Sequence, residues 1–229
     1  MIIWLILAIA FAALEALALT KQLPALERVA KPAVMICLFI WLILETGPTE
    51  FTLWFGIGIL FSLAGDVLLM ISLDRMFVFG LLAFLLAHVS YIIGFKEQLA
   101  SASAGSLLLI VILGVSATRL MRRIIAAMRV KGQNRLVIPV IVYSAVITIM
   151  LFAAMTTIFD PAWTTGASFL VSLGAFLFFT SDIILAWNRF VSPIKNGRRL
   201  NIALYHLGQI GLIMGVVSQY YAMSYRIVL

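Results

Sequence analysis

The stretch FTLWFGIGILFSLAGDVLLMISL, Phe51–Leu73, carries one charged side chain, Asp66, in an otherwise apolar run. A helix rises 1.5 Å per residue, and roughly 20 apolar residues cross the ~30 Å hydrocarbon core of a bilayer, so this stretch reads as a transmembrane helix. An ionised carboxylate inside hydrocarbon costs at least about 2.5–3.5 kcal/mol, which makes such an acid a functional candidate by default. A second segment repeats the feature. The context Ser62-Leu-Ala-Gly-Asp66-Val-Leu-Leu has a near counterpart in Phe179-Thr-Ser181-Asp182-Ile-Ile-Leu. Two intramembrane acids point to paired chemistry.

Outward from Asp66, the same criterion delimits eight apolar segments: Ile2–Leu19, Pro32–Leu44, Phe51–Leu73, Met76–Phe95, Ser103–Thr118, Leu136–Phe159, Gly166–Asn188 and Asn201–Met223. Alternation at period two is absent and the segments are far longer than the ~9–11 residues of a barrel strand, so helices are predicted. The expected fold is all-α, a polytopic transmembrane bundle of eight helices without a soluble domain, with residues 1–229 as a single integral membrane domain. Only Arg119–Arg135 is long enough to hold a small cytoplasmic element. The opening Met1-Ile-Ile-Trp-Leu lacks the basic flank of a cleaved signal peptide and is read as the first helix.

Composition agrees. The 229 residues are 64% hydrophobic and 11% charged, with mean hydropathy +1.17, whereas soluble domains carry about 25% charge. The net charge of +7 could suggest nucleic acid, but the basic residues sort by loop instead of forming a patch with aromatics. All of the 16 Lys and Arg except Lys96 and Arg226 fall in loops one, three, five and seven. The positive-inside rule therefore places those loops in the cytoplasm and both termini outside, and a bacterial inner membrane is compatible with the chain. The single Cys37 excludes a disulfide framework within the chain and cysteine-based metal sites. No GxGxxG, Walker loop, HExxH, CxxC or GxSxG is present, so nucleotide use and classical serine hydrolysis have no sequence support.

Topology converts sequence position into depth. Asp66 and Asp182 each lie roughly 10 Å from the cytoplasmic end of their helices and can share a layer. The last helix presents Asn201, Tyr205 and Gln209 at i, i+4 and i+8 in the same layer, with His206 nearby on the wheel. Lys31 precedes Pro32 at the start of the second helix. His88 and Tyr91, at i and i+3, sit deeper, with Phe84 and Phe95 extending the stripe. A polar cavity opening toward the cytoplasmic leaflet, closed below by an aromatic wall, is expected. Each residue has a plainer role available. Either acid could pair structurally with Lys31 or an arginine, His88 could bond a carbonyl, Tyr205 and Gln209 could orient neighbours, and Glu15 could snorkel or neutralise. The glycines are packing residues, and Lys31, Arg198 and Arg199 serve first as topology signals.

The ordered set of motifs resembles the YhhN-type lysoplasmalogenase family. It comprises Lys31-Pro32, Leu63-Ala-Gly65-Asp66-Val-Leu-Leu, Phe79-Gly80…Phe84…His88-Val-Ser-Tyr91, Tyr143, Gly174-Ala-Phe176…Ser181-Asp182-Ile-Ile-Leu185 and Tyr205-His-Leu-Gly-Gln209. His206 departs from the small or apolar residue expected there and takes no family role. The resemblance implies an eight-helix enzyme that hydrolyses the vinyl ether of lysoplasmalogens to a fatty aldehyde and a glycerophospho-base. It makes Asp66 and Asp182 the catalytic pair, the division of labour between acid and anion known from glycoside hydrolysis. Ser62, Ser181, Tyr205 and Gln209 would position water or the glycerol hydroxyl. His88, Tyr91 and Tyr143 would surround the scissile bond or chain, and Lys31 with Arg198 and Arg199 would meet the phosphate. The partners expected are a lysophospholipid and membrane lipid, with no nucleic acid, protein partner, cofactor or metal.

Other classes use similar parts. A proton-coupled transporter also needs intramembrane acids, a base and a histidine, but helices one to four and five to eight show no evident sequence repeat and no midspan proline. An intramembrane aspartyl protease would have Gly-x-Gly-Asp, which is here Leu63-Ala-Gly65-Asp66, and its downstream Pro-Ala-Leu is missing. Hydrolysis of another lipid bond, even with zinc on His88, His206 and the acids, lacks the usual ligand spacing.

Overall fold

A computed structural model describes residues 1–72, 74–95 and 103–228, with side chains as far as Ser224. Leu73 and Lys96, and the side chain of Arg226, lie outside the described residues. The chain forms α1 (Ile3–Lys21), α2 (Pro24–Thr46), α3 (Glu50–Ile71), α4 (Phe77–Gly94), α5 (Ala104–Val130), α6 (Val137–Thr156), α7 (Thr165–Ala186) and α8 (Gly197–Val228). All eight are long and apolar enough to cross a membrane, and no strand occurs among the described residues. The chain is a multi-pass membrane protein.

Local signals set the ends. The Thr49 hydroxyl caps α3 by accepting from the Thr52 amide at 3.3 Å, and Thr164 caps α7 in the same way through Ala167. Ser103 and Ser106 form a reciprocal capping box at α5. Gln22, at φ 57°, ends α1 in the left-handed region, and Pro24 opens α2 at its first turn, where a missing N–H costs nothing.

Two boundaries differ most from the sequence expectation. Helix α2 begins at Pro24, not Pro32, because its first two turns are amphipathic and hydropathy alone passes over them; Pro32 lies inside the helix. Helix α5 continues past Thr118 to Val130. Its arginines, Arg119, Arg122, Arg123 and Arg129, are exposed, while Ile124 and Met128 share the buried side at i and i+4. Beyond α5 the expected loop holds only the start of a single 3-10 turn, Asn134–Leu136.

Glycine governs the closest helix pairs. Helices α7 and α8 approach until a Cβ on Gly174 would lie 2.3 Å from the Leu212 amide nitrogen. Between α3 and α4 the approach is ring on backbone, with Phe84 over Gly65 and Tyr91 over Gly58. Phe55, Tyr91, Phe95 and Phe178 are fully buried in the core that results. Helix α5 stands at the edge, packed on α6 and on the π turn Trp187–Val191 that continues α7, with only Ser106, Ile124 and Met128 of its residues buried.

Candidate active site

One end of the bundle, the end bearing the basic loops, opens into a cavity of about 750 Å³, within the ~300–1,000 Å³ usual for ligand sites. Asp66 on α3 and Asp182 on α7 both line it, as do Lys31, Phe84, Ser181 and Tyr205. No hydrogen bond joins the two carboxylates.

Their surroundings differ. Asp66 Oδ1 lies 3.1 Å from Lys31 Nζ on α2, and Oδ2 accepts a hydrogen bond from the Tyr205 hydroxyl on α8 at 2.7 Å. Lys31 also stands 5.8 Å from the Tyr205 ring centroid. Only 1% of the Asp66 side chain is exposed, so it sits behind its partners at the inner wall. Asp182 is 14% exposed. Its Oδ2 accepts from the Tyr143 hydroxyl on α6, and His88 Nε2 on α4 lies 3.6 Å away. His88 Nε2 is itself 3.0 Å from the Tyr143 oxygen, so phenol, imidazole and carboxylate form one triangle. No lysine or arginine lies within ion-pairing distance of Asp182 among the described residues.

A second polar chain is buried outside the cavity. Tyr91 donates to Gln209 Oε1 at 2.8 Å, and Gln209 Nε2 donates to the Ser62 hydroxyl at 2.9 Å. These three side chains tie α3, α4 and α8 together and do not line the cavity. His88 and Tyr91, one turn apart on α4, thus belong to different clusters: His88 faces α6 and α7, Tyr91 faces α8. Ser181 accepts from Asn201 Nδ2 through its hydroxyl and its carbonyl, both at 2.8 Å, and so locks α7 to α8 beside Asp182.

The basic rim differs from its sequence expectation. Arg198 lines the cavity and pairs with Glu27, whereas Arg199 is turned onto Asn196 and stays outside. Arg28 and Arg189 line it too, the latter 4.1 Å over the Phe77 ring and paired with Asp74 at 3.3 Å. Nothing in the sequence separated these arginines from the other topology signals. Glu15 does not snorkel. It is fully buried on α1 and bonded to His206 on α8. The match spans almost the whole chain, so no local spacing could reveal it. Among the described residues no cluster of His, Cys, Asp and Glu could hold a metal ion.

An eight-helix membrane protein with one buried and one partly buried carboxylate on a single basic-rimmed cavity defines a class of intramembrane acid site. The YhhN family profile matches residues 26–216, which covers every side chain of that site, and the chain belongs to the YhhN family. It is 27% identical over 198 residues to the lysoplasmalogenase homolog of Dictyostelium discoideum, a match covering 78% of this chain and 64% of that protein. Bovine lysoplasmalogenase TMEM86A is 26% identical over 80% of this chain and 75% of its own length; mouse TMEM86B is 26% identical over 82% and 73%. The chain thus spans from under two thirds to three quarters of the length of these relatives. No solved structure matches it.

Proposed function

We propose that the protein is a lysoplasmalogenase that hydrolyses the vinyl ether of a lysoplasmalogen to a fatty aldehyde and a glycerophospho-base, with Asp182 as acid and Asp66 as counter-ion. The names of the relatives support this substrate class. The observation that carries the assignment is the unequal setting of the two carboxylates: Asp66 has a fixed cation at 3.1 Å, Asp182 has a phenol and an imidazole. A carboxylate balanced by Lys31 serves as an anion. One without a fixed positive neighbour, and reachable from the cavity, can hold and deliver a proton.

The steps balance with water alone. The Asp182 proton adds to the distal vinyl carbon, leaving an oxocarbenium ion at the carbon bearing oxygen, whose charge Asp66 offsets across the cavity. Water adds to that carbon and returns a proton to Asp182. The hemiacetal then collapses to the aldehyde and the free glycerol hydroxyl. Tyr143 and His88 fix the orientation of Asp182, and Tyr205 fixes Asp66. Lys31 and Arg198, with Arg28 and Arg189, suit a lipid phosphate at the mouth. We read the basic end as cytoplasmic, so the headgroup enters from that leaflet.

Carbon protonation leaves a mark that other hydrolyses do not. Turnover of a lysoplasmenyl lipid in D2O should place one deuterium on the α carbon of the released aldehyde within a single turnover. An aldehyde without it contradicts the mechanism.

A further inference from the structure

Beside the cavity runs a narrow slot, about 60 Å³, walled by apolar side chains of α4, α5, α6 and α7. Leu69, Phe84, Asp182 and Leu185 line both spaces, so the slot meets the polar cavity at the carboxylate assigned as the acid. From there it passes Tyr143, Ile147 and Thr148 on α6 and faces Ala117, Leu120 and Met121 on α5. The Thr148 hydroxyl is taken up by its own helix, donating to the Ser144 carbonyl at 2.7 Å, so past the Asp182 end the slot is lined mainly by apolar groups. An apolar space of this kind does not hold ordered water.

The outer wall is the least packed helix of the bundle. Among the described residues α5 rests on α6 and on the π turn after α7, with no comparable packing on α4. A seam between α4 and α5 therefore separates the slot from the bilayer. Leu107, Leu108, Ile110 and Val111 on the same helix are exposed, as a lipid-facing helix requires.

We infer that this slot is the binding site for the single hydrocarbon chain of the lipid, which enters sideways from the bilayer through the α4–α5 seam. The inference rests on the proposed function for the identity of the reacting bond. Three observations converge on this occupant: the apolar wall, the narrow bore, and a junction with a cationic-rimmed cavity at Asp182. A single-chain lipid with its phosphate among Lys31, Arg198 and Arg28 has its first chain carbons at that junction, and the rest of the chain runs out between α4 and α5. The headgroup stays in the polar cavity while the tail never leaves an apolar environment, so the protein need not extract the whole lipid from the membrane.

The test plugs the slot away from the acid. Ala117→Phe fills it from α5, and Thr148→Phe fills it from the facing wall, so a folding failure of one variant leaves the other. The probe is a non-hydrolysable alkyl lysophosphocholine with a photoreactive diazirine in its chain. In the wild-type protein its adducts should map to Leu120, Met121 and Ile147 and be competed by unlabelled lysolipid; in folded plugged variants they should vanish. In parallel, both variants should lose at least about tenfold in kcat/KM on a long-chain lysoplasmenyl lipid, the penalty of a misfitting apolar pocket, while keeping turnover of an ethenyl-glycerophosphocholine within about twofold. Adducts confined to the outer face of α5, or equal losses on the long and short substrates, would overturn the inference. Adducts in the slot without aldehyde from any vinyl ether would uphold the chain site and overturn the proposed reaction instead.

Discussion

Lys31 and Asp66 meet at 3.1 Å with side chains only 12% and 1% exposed, so each is the other's nearest opposite charge in a poorly solvated setting. Removing one partner of such a pair leaves a buried charge uncompensated, at a cost of about 3–5 kcal/mol, whereas removing both can be nearly neutral. Lys31→Met should therefore lower the stability of the detergent-solubilised protein by roughly that amount. The double variant Lys31→Met/Asp66→Asn should recover most of it, as read by thermal unfolding of the double-mutant cycle. Additive effects of the two changes would mean that the pair is not coupled. The sequence marked both residues through their placement in apolar surroundings. It could not say that they pair, nor that Tyr205 is the second partner, because these contacts join helices 35 and 139 positions apart, α2 to α3 and α3 to α8. The Glu15–His206 match was hidden for the same reason: burial of an acid depends on what the opposite helix brings, and hydropathy holds no record of it.

Helices give the sequence its clearest voice, since length and apolarity are local properties. Eight spans were legible, and their errors have local causes. Amphipathic first turns hid the start of α2, and arginines that helices tolerate on an exposed face hid the end of α5. Close approach between helices is also marked by glycine, but which glycines matter is not. A Cβ on Gly174 would lie 2.3 Å from the Leu212 amide nitrogen, and main chain cannot step aside, while a Cβ on Gly114 of α5 would meet nothing within 4 Å. Gly174→Ala should cost more than about 2 kcal/mol through forced separation of α7 and α8. Gly114→Ala should be neutral or stabilise by up to about 1 kcal/mol from helix propensity. Chemical or thermal denaturation of the two variants side by side checks the contrast. Equal effects would contradict the packing described for α7 and α8.

Across the whole molecule the two carboxylates occupy equivalent stations. Asp66 lies on the third helix of the first four and takes partners from the second helix, Lys31, and from the last helix of the other half, Tyr205. Asp182 lies on the third helix of the last four and takes them from that half's second helix, Tyr143, and from the last helix of the first half, His88. No repeat is evident in the sequence, and the partner chemistry differs, a cation and a phenol on one side, a phenol and an imidazole on the other. On the proposed reading, that difference assigns the two acids their separate tasks. Intramembrane acids with such partners also serve carriers, so the chemical outcome decides between the two readings. The most direct measurement is fatty-aldehyde release by the purified protein from a lysoplasmenyl lipid, beside the matched ester lysolipid, for wild type, Asp66→Asn and Asp182→Asn. Aldehyde from the vinyl ether alone, lost in both folded variants, is the expected result. No aldehyde from folded wild type, or full turnover by either variant, would contradict the paired-carboxylate hydrolase.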